Sequence, residues 1–148
     1  MPSPYDSILN SVQSLVDDLG LSGVVVKKVK LPKVQEIIDS LPLIAIVPSP
    51  EPESIQEFSF NEQNITYKVD VVIIRSNDGD LTMDSDDTTM NWRNQIINVF
   101  RPLVTLTGVS SVWNIFVKPK IPLDTPKLSE HYDYSGIRLL IHNIESRS

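Results

Sequence analysis

Two histidines are the only imidazole side chains in this 148-residue chain, and they are the first candidates for catalysis or metal binding. His131 and His142 lie on one predicted strand, eleven residues apart, so they point to opposite faces unless a β-bulge realigns them. No acidic residue is spaced to complete a metal triad with them. We therefore predict a structural or surface role for both histidines.

A run of aspartates between residues 77 and 87 is the second candidate, because it offers many oxygen ligands for calcium. An EF-hand loop needs glycine at its sixth position and glutamate at its twelfth, and neither residue occurs in register. A turn followed by helix-capping aspartates is the preferred interpretation. The chain has no cysteine and none of the common hydrolase, zinc-protease, phosphate-binding or dinucleotide-binding motifs. We predict no cofactor, no metal and no enzymatic activity.

The acidic residues are distributed unevenly along a chain whose net charge is -6. Nine of the nineteen acids fall in two connections that contain neither lysine nor arginine: Glu51, Glu53, Glu57 and Glu62 in one, and Asp78, Asp80, Asp84, Asp86 and Asp87 in the other. The net charge argues against sequence-independent binding of nucleic acid, which depends on clustered basic residues. Two interpretations of these connections stay open: solvated loops, or surfaces that face a lumen or a partner.

A single basic cluster of any size occurs, formed by Lys27, Lys28, Lys30 and Lys33. It falls in a β-prone stretch, residues 23–31, where successive lysines are typical of an edge strand protected against further pairing. The alternative is contact with the acidic surface of a neighbouring subunit. No apolar run approaches the roughly 20 residues of a membrane span, and residues 1–14 lack the features of a signal peptide.

One α+β domain spanning residues 1–148 is predicted to position these groups. Its central strand is residues 65–75, where apolar and polar residues alternate until both faces become apolar. The apolar stretch 41–47 predicts a short strand buried on both faces. Prolines at positions 48, 50 and 52 exclude regular structure and predict an excursion to residue 64. The far half of that excursion is predicted to pair as a hairpin arm leading into Ile65.

Two amphipathic helices are predicted to cover the sheet, one from Ser3 or Pro4 to a left-handed Gly20, the other from residue 85 or 86 to 103. Two turns of helix are also expected at residues 34–40. The closing strands are residues 112–118 and 131–144, with a β-bulge predicted at Gly136. Trp92 and Trp113 are predicted core residues. The result is a single mixed, mainly antiparallel sheet of about four or five strands covered by two helices.

This order of elements resembles the tail terminator proteins of long-tailed bacteriophages. The likeness covers most of the chain and is carried by the strand ITYKVDVVIIRSN, the acidic loop, the helix MNWRNQIINVFRPL and the closing strands SVWNIFVKPKIP and HYDYSGIRLLIHNIE. It rests on element order and hydrophobic pattern. The proline-rich excursion and the strand at residues 23–31 depart from the family pattern.

The resemblance implies a structural virion protein that forms a homohexameric ring at the head-proximal end of a tail tube. The ring would stop tube polymerisation and join the tube to the neck or connector, while DNA passes through without specific binding. The implied partners are further copies of the chain, the tail tube protein, neck or connector proteins and a sheath terminal ring. Assembly would occur in the host cytoplasm, with no membrane involved.

The resemblance also suggests roles for the charged residues. In such a ring Lys27, Lys28, Lys30 and Lys33 are expected to meet acids of a neighbouring subunit. Acidic loops facing the channel would repel DNA and let it slide, so a channel or partner-facing position is expected for Glu51, Glu53, Glu57, Asp78, Asp80 and Asp84. Two alternatives stay open: a head-completion or stopper protein of the same neck, and a small ligand-binding domain or enzyme with a pocket under the 119–130 loop.

Overall fold

The computed structural model describes residues 4–21, 23–28, 43–48, 54–57, 62–76, 88–106, 108–120 and 132–146. Within these ranges the chain forms two helices and six strands. In chain order they are α1 (Pro4–Asp17), β1 (Val25–Lys28), β2 (Leu43–Pro48), β3 (Ser54–Glu57), β4 (Glu62–Ser76), α2 (Thr88–Phe100), β5 (Val112–Lys120) and β6 (Tyr132–Ser146). The predicted helix at residues 34–40 lies outside the described residues.

All the described strands belong to one mixed sheet. Five of them follow the order β1-β2-β4-β6-β5, and β3 pairs with the same edge of β4 as β2 does. Strands β1 and β2 are parallel, whereas the other described pairs are antiparallel. This single mixed, mainly antiparallel sheet with two helices confirms the predicted α+β fold class.

Strand β4 is the central strand, as the sequence predicts. It pairs with β6 along its whole length, from Glu62 opposite Ser146 to Ser76 opposite Tyr132. It begins three residues before the predicted start, and β3 pairs with it there, opposite residues 63–66. The sequence predicts the hairpin arm in the far half of the excursion, whereas β3 covers residues 54–57, which come earlier; residues 58–61 lie outside the described residues. Pro48 differs from expectation, since it is the last residue of β2 and lies opposite Val69. At that position a missing N–H ends the ladder rather than interrupting it.

Both helices pack on the same face of the sheet. In each helix the buried side chains recur three or four residues apart, which places them along one side. They join inward-facing strand residues in one apolar core. The buried helix residues are Ile8, Leu9, Val12 and Val16 in α1, and Trp92, Ile96 and Phe100 in α2.

A second, smaller apolar cluster lies on the opposite face of the sheet. In the part of the chain that the structure describes, it consists of residues of β2 and β4 only: Leu43, Ala45, Val47, Val72 and Ile74. Because Ile44 and Ile46 face the helices, β2 is buried on both faces, as its uninterrupted apolar sequence predicts.

The helix ends follow local backbone chemistry. The turn after α1 includes Gly20, whose φ of 63° confirms the predicted left-handed residue. Helix α2 ends at Phe100, three residues earlier than predicted, because Pro102 cannot continue a helical hydrogen-bond ladder. Neither described helix combines the length and apolar character needed to span a membrane.

The connection from β4 to β5 passes through α2 and skips one position in the sheet. Strands β4 and β5 are both antiparallel to β6, so they run parallel to each other. A parallel pair requires a crossover, and α2 supplies it. This confirms the crossover that the helical pattern between these strands predicts.

The irregularity in the sheet lies in β5, and the bulge predicted at Gly136 is wrong. Gly136 pairs with Val72 in an unbroken register, whereas the ladder between β5 and β6 shifts between Val112 and Asn114. Trp113 is the extra residue, and its side chain is 41% exposed. The predicted core position is therefore confirmed for Trp92 and wrong for Trp113.

Candidate interaction face of the sheet

The face of the sheet opposite the helices, called the outer face below, carries most of the polar side chains described in the strands. Alternate residues of β4, β5 and β6 point to it, and the strand register aligns them in cross-strand rows. Three rows run across β5, β6 and β4: Lys118, Arg138 and Asp70; Phe116, Leu140 and Lys68; and Asn114, His142 and Thr66.

Asp70 and Arg138 form a buried ion pair at the centre of this face. Arg138 Nε lies 2.9 Å from Asp70 Oδ1, and Nη2 donates to Oδ2 at 3.4 Å. The two residues are directly opposite each other on the central strands, and their side chains are 10–11% exposed. Such a two-point contact fixes orientation as well as charge. The pair therefore ties β4 to β6 in one register.

The sequence prediction missed this ion pair. In the sequence, Asp70 is one of the polar residues that alternate with apolar ones in the central strand, and the hydrophobic pattern assigns no role to Arg138. A usable signal exists, because Asp70 and Arg138 each stand directly between apolar residues, in VDV and IRL. Opposite charges flanked by apolar residues in two strands are typical of a buried cross-strand pair.

A hydrogen-bonded network lies further along the outer face. The indole Nε1 of Trp113 donates to Asn64 Oδ1 at 2.9 Å. Because an indole N–H can only donate, this bond sets the orientation of the Asn64 amide. The amide nitrogen then points to Nδ1 of His142 at 3.4 Å, and the hydroxyl of Thr66 lies 2.9 Å from the same nitrogen. Nδ1 is therefore the acceptor, and the neutral ring carries its proton on Nε2.

The imidazole of His142 lies between two aromatic rings that are partly open to solvent. Its centroid is 5.4 Å from that of Trp113 and 6.0 Å from that of Phe116, which it meets edge-on. Phe116 is 56% exposed, a high value for a phenylalanine in an ordered strand. Burial lowers the pKa of His142 below its usual 6.5, because a charged ring loses hydration there.

We expect the free energy of unfolding to decrease as the pH falls below 6.5. In that range the unfolded chain protonates His142 more readily than the folded protein does, so protons favour unfolding until the folded-state ring also titrates. The measurement is urea unfolding of wild type and His142→Asn at several pH values between 7.5 and 5. The titration of carboxylates is common to both proteins, so it cancels in the difference between their free energies of unfolding. A wild-type-minus-variant difference that stays constant across this range would contradict the assignment.

The structure separates the two described lysines of the predicted basic cluster. Among the described strands, β1 is at the end of the strand order, as predicted for an edge strand; residues 29–31 of the predicted strand lie outside the described residues. Lys27 pairs with Ala45 and points to the outer face, whereas Lys28 points to the helix side and its Nζ donates to Asn10 Oδ1. The two lysines therefore do not form a patch on one face. Lys30 and Lys33 lie outside the described residues.

The structure describes few of the predicted acidic site residues. Glu57 ends β3, and Glu62 begins β4 with an exposed side chain. Most of the predicted channel or partner-facing residues lie outside the described residues, and their role stays a prediction: Glu51, Glu53, Asp78, Asp80 and Asp84. His131 and residues 121–130 of the predicted pocket loop also lie outside them.

The described residues offer little for metal or acid–base chemistry. They contain no group of three or more histidine, aspartate and glutamate side chains placed to hold a metal ion. A groove of about 370 Å³ lies beside α1, lined by Ser7, Asn10, Ser11, Ser14, Leu15, Asp18 and Gly108. None of these lining residues is a histidine, the base that commonly activates a serine hydroxyl as a nucleophile.

No protein-family model matches the sequence, and no curated protein matches it significantly. Within the described residues, the outer face carries two exposed aromatic side chains, Trp113 and Phe116.

Proposed function

We propose that the protein is a structural subunit of a long-tailed bacteriophage, a tail terminator that forms a ring, caps the tail tube at its head-proximal end and joins it to the neck or connector. The observation that carries this proposal is the exposure of Trp113 and Phe116 together on the outer face. Exposed aromatic side chains that adjoin on one surface are typical of protein–protein interfaces. An assembly subunit needs such a surface, and the resemblance in element order names the assembly.

The edges of the sheet favour a closed ring over a fibre built by strand pairing. Strand β1 is only four residues long and ends in Lys27 and Lys28, while β5 contains a bulge and ends in lysine and proline. These features discourage addition of another strand at either edge. A contact between the face of one subunit and a loop of the next uses different surfaces on the two partners, and such contacts close into a ring when the rotation between subunits permits.

The acidic connections suit the inside of such a ring. In this proposal Glu51, Glu53, Glu57, Asp78, Asp80 and Asp84 face the channel or a neighbouring protein, and those carboxylates that face the channel keep DNA from adhering. The partners are the tail tube protein, neck or connector proteins and further copies of the chain, with a sheath terminal ring as an additional candidate.

Electron microscopy of the purified protein, alone and mixed with tail tubes, tests this function. The expected result is a closed annulus that sits on one end of the tube and blocks its further growth. Native mass spectrometry counts the copies, for which six is expected. Rings that bind the connector but leave tube ends growing would instead identify a stopper or head-completion protein. A protein that stays monomeric at high concentration and binds neither partner would contradict the ring.

A further inference from the structure

We propose that Trp113, Phe116 and Lys118 on the outer face form a docking surface for a second copy of this chain, and that its occupant is the acidic segment at residues 78–87 of that copy. This inference rests on the proposed function, because it names the contact between neighbouring subunits of the ring. It concerns one surface, defined by these three residues and called the β5 surface.

The β5 surface combines an apolar centre with positive charge. Phe116 and Lys118 are two residues apart on β5, so both point to the outer face, and both are exposed. The β5 surface thus combines the ammonium group of Lys118 with two aromatic rings, on a chain whose net charge is -6. A partner of complementary chemistry carries carboxylates and some apolar side chains.

Residues 78–87, with the sequence DGDLTMDSDD, have that chemistry. They contain five aspartates and neither lysine nor arginine, and Leu81 and Met83 add apolar side chains. The other acidic segment is less suitable, because Ser54–Glu57 and Glu62 are already paired in the sheet of their own subunit. Aspartates opposite Lys118, with Leu81 or Met83 against Phe116, match both the charge and the apolar character of the β5 surface.

A contact within one subunit would use more than half of the reach of the segment. The segment follows Ser76, eight positions along β4 from Lys68 and the row of Phe116, a distance of about 26 Å. The twelve peptide units from Ser76 to Thr88 span at most about 43 Å when fully extended. In the ring that we propose, a second copy supplies the contact instead, and self-association is therefore the property to measure.

Single substitutions in the full-length protein test the surface. Phe116→Ser and Lys118→Glu are each expected to weaken self-association by about tenfold or more, measured by sedimentation velocity over a concentration series. Val104→Ser and Arg101→Glu are matched controls, because they make similar changes at exposed positions after α2. Both controls are expected to assemble as wild type does. Circular dichroism checks that each variant is folded.

A charge exchange tests the occupant. Lys118→Glu and the double variant Asp80→Lys/Asp84→Lys are each expected to assemble poorly alone and to form mixed rings when combined, because each restores the charge that the other lost. Wild-type rings that neither Phe116→Ser nor Lys118→Glu weakens would overturn this inference and leave the proposed function standing. A wild-type protein that never assembles would overturn both.

Binding of a labelled single-stranded oligonucleotide tests a further alternative, because aromatic rings beside lysines are also typical of nucleic-acid-binding surfaces. The expected result is no binding by wild type at physiological salt. Oligonucleotide binding that Phe116→Ser abolishes, with self-association unchanged, would assign the β5 surface to nucleic acid and overturn the inference.

Discussion

Replacement of Asp70 by asparagine is expected to lower the free energy of unfolding by about 3–5 kcal/mol. The substitution keeps the shape of the side chain but removes the carboxylate that the buried guanidinium of Arg138 contacts. Removing one partner of a buried ion pair is strongly destabilising, because the remaining charge stays out of water. Urea unfolding, monitored by tryptophan fluorescence at a concentration where the protein is monomeric, measures the loss.

The double variant Asp70→Leu/Arg138→Met separates the cost of an unpaired charge from the value of the pair itself. Because both charges are removed, its stability is expected to return most of the way to wild type. Arg101→Ala is the matched control, since Arg101 is exposed, and its effect is expected to stay within about 0.5 kcal/mol. An Asp70→Asn variant as stable as wild type would show that the pair is accessible to water in solution.

Replacement of Phe100 by alanine is expected to lower the free energy of unfolding by about 3–5 kcal/mol. Phe100 is the last residue of α2, is fully buried and is among the largest side chains of the core that both helices share with the sheet. Truncation removes its apolar contacts and leaves a cavity that the surrounding strands fill only in part. Thermal and urea unfolding of the purified variant measure the change.

Val104 provides the control for this prediction, because it follows α2 closely but is 57% exposed. Val104→Ala is expected to change stability by no more than about 0.5 kcal/mol, and Phe100→Leu is expected to lose less than Phe100→Ala because it fills part of the space. Equal losses for Phe100→Ala and Val104→Ala would show that the end of α2 does not pack as described.

Hydrophobic periodicity was sufficient to predict the elements that carry the core. The alternation before Val72 and the apolar residues after it identified β4, and helical spacing identified the buried face of α1. These predictions succeed because burial of apolar area is the dominant favourable term, and the side chains that supply it must follow the repeat of the backbone. The hairpin arm was predicted later in the excursion than β3 lies, because the pairing of so short a strand depends on a partner already in place.

Local pattern was not sufficient for the candidate site. The alternation in VWNIFVK assigned Trp113 to the core, yet one extra residue in the ladder moves its ring to the outer face, beside His142. An alternating sequence is equally compatible with a straight strand and a bulged one, and the choice is made by register against β6. Similarly, the two adjacent lysines of β1 are close in sequence but lie on opposite faces of the sheet.

The sequence by itself determined a small α+β domain with a central β4, one amphipathic side on each helix and acids concentrated in two connections. Only the tertiary structure decided which polar residues meet: Asp70 with Arg138, and Trp113 with Asn64 and His142. The physical reason is the distance along the chain between the residues that determine each feature. Apolar periodicity is contained within a single element, whereas these contacts across the sheet depend on the relative register of strands whose contacting residues are 29 to 78 positions apart in the chain.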